Sequence, residues 1–116
     1  MPTQNEKLLA AAGHLAYLVG LPLIFPLVLF LWQRDQSRFV AEQAKQAIIL
    51  HLTALFLILL GVGFSIGTFG VGAFAVIPTL SFLGFVAVVL TVVAVLKVAE
   101  GRHYRYPIIG GLLDWA

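Results

Sequence analysis

QAIILHLTALFLILLGVGFSIGTFGVGAFAVIPTLSFLGFVAVVLTVVAVL, residues 46–96, holds no Asp, Glu, Lys or Arg in 51 positions. A helix that crosses a hydrocarbon core of about 30 Å needs about 20 apolar residues at about 1.5 Å each. The run is too long for one such helix and sufficient for two with a turn between them. Gly61, Gly63, Gly67, Gly70 and Gly72 supply the break. Pro78 follows, as a first helical turn allows, because that amide has no intrahelical acceptor. The expectation is a second span over about 44–64 and a third over about 77–98. Gly61, Gly63 and Gly67 also offer a small-residue surface for helix packing.

Upstream, residues 8–32 are uncharged as well. As one helix they would reach about 37 Å, which predicts a first span kinked at Gly20-Leu21-Pro22, with Pro26 a further interruption. This run exceeds the 7–15 apolar residues of a signal peptide, and Trp32-Gln33-Arg34 follows it, so it reads as a retained span. A rival arrangement folds 8–32 into a re-entrant hairpin. Next comes a polar stretch, 33–45, in which Val40, Ala44, Ala47 and Ile48 recur at helical spacing. It predicts a helix starting near Ser37, with Glu42 pairing with Arg38 or Lys45.

Downstream of Lys97, Glu100-Gly101-Arg102-His103-Tyr104-Arg105-Tyr106-Pro107 forms a turn rich in cations and tyrosine. The apolar tail 108–116 is too short to span and reads as an interfacial helix, with Trp115 at headgroup depth. Lys and Arg near span ends set orientation. Three spans place Arg34, Arg38, Lys45, Lys97, Arg102 and Arg105 on one side and only Lys7 opposite. That predicts an inner-membrane, multi-pass protein with its amino terminus outside and its carboxyl terminus cytoplasmic. The rival hairpin puts all seven cations inside.

Composition agrees with this class. Of 116 residues 61% are hydrophobic and 10% charged, with mean hydropathy +1.04, against about 45–50% and 25% in soluble domains. The fold class expected is all-α integral membrane protein, three transmembrane helices in a single domain over 1–116. A net charge of +2 without a basic face argues against nucleic acid as a partner. With no cysteine there is no disulfide, thiol nucleophile or iron–sulfur cluster.

Phe39-Val40-Ala41-Glu42-Gln43-Ala44-Lys45-Gln46-Ala47 and Gly101-Arg102-His103-Tyr104-Arg105-Tyr106-Pro107 resemble paired signatures of small prokaryotic membrane proteins. Asn5-Glu6-Lys7-Leu8-Leu9-Ala10, with His14-Leu15 after it, is similar too. These are grouped as Tic-twenty-like, after a chloroplast inner-envelope component implicated in protein import. The resemblance covers nearly the whole chain and implies an association with protein translocation. Gln43, Ile49 and His51 depart from the residues frequent at those positions.

Few residues point to chemistry. Gly63-Phe64-Ser65-Ile66-Gly67 matches Gly-x-Ser-x-Gly, but that motif works at a strand-to-helix turn in an α/β sheet. A serine–histidine pair of Ser65 with His14 is the intramembrane version, against a plain turn at Ser65. Phosphate-loop readings fail for want of a strand and of Gly-Lys-Ser/Thr. His14 and His51 are the intramembrane polar candidates, since neutralising or pairing such groups is costly. Each lies about six residues inside its span but from opposite faces, so a shared metal is not expected. The alternative is a neutral histidine bonded to a neighbouring helix, with Tyr17 or Thr53 nearby. Glu6, Asp35, Glu42, Glu100 and Asp114 all lie at or beyond span ends, which weighs against an ion-coupled pump.

Arg34, Arg38, Lys45, Arg102 and Arg105, with Tyr104 and Tyr106, are candidates for contact with anionic lipid headgroups or a partner, beyond their role in topology. No catalytic residue, cofactor or metal is implied. The expected function is a non-enzymatic accessory, scaffold or conduit-forming subunit. Its partners would be the lipid bilayer and either further copies as a homo-oligomer or other membrane proteins. The alternatives are an oligomeric small-solute or ion transporter or channel, and an intramembrane serine hydrolase.

Overall fold

The computed structural model describes residues 2–19 and 23–114, and its regular elements are all helical: α1 (Gln4–Leu18), α2 (Ile24–Gln33), α3 (Arg38–Gly67) and α4 (Ala73–Ala99). α1 starts with a capping box. The Thr3 hydroxyl accepts from the Glu6 amide at 3.2 Å, and Glu6 Oε1 accepts from the Thr3 amide at 3.0 Å. α2 carries Pro26 in its first turn, where the missing amide costs no helical bond. α3 starts at Ser37, whose hydroxyl accepts from the Val40 amide at 3.2 Å, as expected from the sequence.

α1 and α2 run in opposite directions. At one end the Ser37 hydroxyl donates to the Glu6 carboxylate. Further along, Gly13 faces Leu29 so closely that a Cβ on it would lie 3.2 Å from the leucine. With 15 and 10 residues, these helices reach about 22 Å and 15 Å, so neither crosses a bilayer alone. The single first span expected over 8–32 is thus replaced by a helical hairpin. The kink expected at Gly20-Leu21-Pro22 lies outside the described residues, as does Trp115.

Among the described residues, α3 and α4, with 30 and 27 residues, are the two helices long and apolar enough to cross a membrane. Their most apolar windows have mean hydropathies of 2.5 and 2.6, yet only 28% and 11% of each is buried. A soluble core helix would be mostly covered, so exposure on this scale fits helices that face lipid. Both run past the spans expected at 44–64 and 77–98. The reason is that Gly61, Gly63 and Gly67 remain helical, and the chain reverses only over 68–72, where Phe69 (φ 55°) and Gly70 (φ 89°) adopt left-handed backbone. Pro78 therefore falls inside α4 rather than in its first turn. Gly61 lets α3 and α4 approach, since a Cβ there would lie 2.7 Å from Val76.

The molecule is a rod of 52 × 23 × 23 Å with its core at one end. Ala10, Leu29, Phe39, Val40, Ala44 and Val98, drawn from all four helices, form that core. Every buried residue of α3 except Gly61 falls at 39–50, and those of α4 are Thr91, Ala94 and Val98. Beyond this head, α3 and α4 continue as a two-helix arm. The amino terminus belongs to the head, because a Cβ on Gly101 would meet the Lys7 side chain at 3.1 Å. Lys7 is thus at the same end as the other six cations, and the expected opposite placement is corrected: the hairpin returns the chain to its starting level. Residues 107–114 form successive turns, not the expected interfacial helix.

Candidate functional site

Gln43 and Gln46 stand three residues apart on α3, hence on one face of it, and that face looks into the head. His14 comes to them from α1. With Gln43 Oε1 as acceptor, His14 Nε2–H donates at 2.9 Å, which leaves Nδ1 to accept from the Tyr106 hydroxyl at 2.8 Å. His14 is fully buried and Gln43 and Tyr106 nearly so. Burial pushes the Tyr106 hydroxyl well above a tyrosine's ordinary range, so it keeps the proton it donates. Both ring nitrogens of His14 and the Tyr106 hydroxyl are therefore partnered in their neutral forms, as a buried polar network requires.

Gln46 holds the carboxyl-terminal tail. Its Oε1 accepts from the Tyr106 amide at 3.0 Å and its Nε2 donates to the Gly110 carbonyl at 2.8 Å. The loop it closes is tight: a Cβ on Gly110 would lie 2.6 Å from the Tyr106 carbonyl oxygen, and Ile108 is held at φ 71° while fully exposed. Around this clamp the rings pack edge to face, with Tyr104 and Tyr106 5.0 Å apart and His14 and Tyr104 6.2 Å apart.

His51 lies further along α3. Its Nδ1–H donates to the Ala47 carbonyl at 2.8 Å and its ring meets Tyr17 edge-on at 5.5 Å. Its Nε2 is buried and has no hydrogen-bond partner among the described residues. His14 and His51 were expected from opposite faces. Because α1 rises from the same end as α3, they instead occupy neighbouring levels of one head, each on its own partners. Among the described residues no group of three or more His, Asp or Glu side chains is placed to hold a metal.

Ser65 donates to the Gly61 carbonyl at 2.8 Å within continuous α3, so Gly63-Phe64-Ser65-Ile66-Gly67 is helix and not the turn a nucleophile elbow needs. A Cβ on Gly63 or Gly67 would meet nothing within 4 Å, so these two glycines face outward while Gly61 packs inward. Of the cations, Arg34 lies exposed over the Phe30 ring at 6.0 Å, Arg102 pairs with Glu100 at 3.4 Å and Arg105 with Asp114 at 3.0 Å. Lys45 is buried and pairs with Glu42 at 3.2 Å. Arg38 is exposed, with no ion-pair partner among the described residues. Sequence reasoning named His14 and Tyr106 separately and missed Gln43 and Gln46 as their partners. Two glutamines one turn apart, on the apolar side of a helix, were the available signal.

No curated protein and no solved structure shows significant similarity to this chain. The profile of the magnetosome magnetite crystal formation protein family, MamF/MmsF, matches residues 5–113. That match replaces the Tic-twenty-like resemblance and removes the support for a link to protein translocation, since the motifs behind both readings lie within the matched residues. A match that starts within the capping box of α1 and runs to residue 113 leaves only the extreme termini outside it, and the chain belongs to the MamF/MmsF family.

Proposed function

We propose that this chain is a non-enzymatic, multi-pass protein of the magnetosome membrane that supports magnetite crystal formation by organising that membrane and its proteins. The match over residues 5–113 carries this reading, and the distribution of charge supports its mechanism. All seven Lys and Arg and all five Asp and Glu belong to the head or its connecting segments. By the positive-inside rule the head is cytoplasmic, with α1 and α2 entering the leaflet as a re-entrant hairpin and α3 and α4 crossing it. The far side of the membrane then meets only residues 68–72, Thr-Phe-Gly-Val-Gly, which hold no carboxylate that could bind iron or mineral. The chain therefore acts through packing: the arm against lipid, further copies or other membrane proteins, and the head against cytoplasmic partners. Two helices enclose no lumen, so a conduit would require several copies.

Deletion of the gene in the magnetite-forming cell that encodes it tests this. Crystals smaller than wild type by electron microscopy, restored by the intact chain, are expected. Unchanged crystals, or a fluorescent fusion absent from magnetite-bearing membranes, would overturn it.

A further inference from the structure

Outside the buried cluster, the first turns of α3 and the segment 103–105 line an open cavity of about 420 Å³, within the range of about 300–1,000 Å³ usual for small-ligand sites. Arg38, His103 and Arg105 stand on its exposed rim, while Gln43 and Tyr104 line its depth. Glu42 also lines it, but Lys45 holds that carboxylate. Arg38 has no ion-pair partner among the described residues. Gln43 is 1% exposed, and His14 takes its Oε1. The group it has left for the cavity is the Nε2 amide, a donor with no partner among the described residues. His103 is steadied edge-on against Phe39 at 5.1 Å. The cavity thus offers guanidinium, imidazole and amide donors to a ligand that accepts.

Its position selects the source of that ligand. On α2 and α4 the exposed large apolar side chains end at Trp32 and Leu96, with Arg34 two residues and Lys97 one residue beyond them. The cavity opens on the charged side of that border, where the phosphates of lipids packed along the arm come to lie. We propose that it binds the phosphate of an anionic phospholipid headgroup, with Arg38 and Arg105 as its principal contacts and Gln43 donating from within. Asp114, which now holds Arg105 at 3.0 Å, competes with the headgroup for that arginine. This inference stands apart from the magnetite reading.

The test uses the full chain in mild detergent, with retention of added phosphatidylglycerol and phosphatidylcholine read by native mass spectrometry and inorganic phosphate as a competitor. Preferential retention of phosphatidylglycerol is expected. It should weaken roughly tenfold in Arg38→Gln, the loss of about one charge-assisted contact, strengthen in Asp114→Asn, and persist in Arg34→Gln, which removes a cation outside the cavity. Equal retention of the two lipids, or equal losses in Arg34→Gln and Arg38→Gln, would reduce the effect to diffuse surface charge and overturn the site. Inorganic phosphate displacing the lipid at matching concentration would overturn the lipid source. Circular-dichroism melting of each variant separates lost binding from lost fold.

Discussion

The head and the arm are built from the same two long helices, yet they are stabilised differently. In the head, α3 is flanked by α1, α2, α4 and the tail, and its residues 39–50 are buried almost without interruption. In the arm, among the described residues, α3 has only α4 beside it, and Phe56, Leu59, Phe64 and Phe74 are more than half exposed. Helix identity therefore does not decide burial; the number of neighbours at each level does. Most polar groups of the head find a partner there, as His14, Tyr106 and Gln46 do, whereas His51 Nε2 has none among the described residues. The arm's polar side chains are hydroxyls such as Ser65 and Thr79, which bond to carbonyls of their own helix, and its apolar surface is left for lipid to cover.

A buried charge should separate the two regions most sharply. Val40→Asp places a carboxylate where all four helices meet, and a loss of about 4 kcal/mol or more is expected, seen as a collapsed melting transition in detergent. Val62→Asp, half exposed in the arm, should leave that transition in place. Equal losses at both sites would show that the head has no core of its own. Next is Gln46→Leu, which strands the Tyr106 amide and the Gly110 carbonyl and should cost about 2–3 kcal/mol. Its signature is tryptic cleavage after Arg102 and Arg105 at a protease level that leaves the wild type intact.

Within the arm, Gly61→Val must push against Val76 and should cost about 1–3 kcal/mol, whereas Gly63→Val meets open space and should stay within about 0.5 kcal/mol. A larger loss at Gly63, measured by melting at several protein concentrations, would reveal a second helix seated on that face. The smallest effect concerns acid. The Ser37 hydroxyl, and then the Thr3 amide, hold the Glu6 carboxylate below its ordinary value of 4.5. Because the folded value is depressed, the contribution is present above the ordinary range and fades as pH falls through the folded value. Glu6→Gln keeps the capping box and removes the titration, so the melting temperature should fall less than in wild type between pH 6 and about pH 3.

The class of the protein was legible in its residues. An uncharged run of 51 positions, the break among five glycines and a cap at Ser37 led to two long apolar helices and their polar start, because hydropathy and capping are local properties. Membership of the Tic-twenty-like group was misread, since the motifs behind it name membrane helices without naming a reaction. The course of 8–32 was not local. One kinked span and one hairpin bury the same apolar residues, and the choice between them rests on contacts such as Gly13 with Leu29 and Ser37 with Glu6, between residues distant in the chain. That choice moves Lys7 from one end of the molecule to the other. It also brings His14 to Gln43, 29 positions away, and to Tyr106, 92 positions away. By itself the sequence determined that the chain has two long apolar helices and where its charges lie along it. Only the tertiary structure decided that those charges gather at one end around a buried polar cluster, because a hydrogen bond between distant residues leaves no periodicity to read.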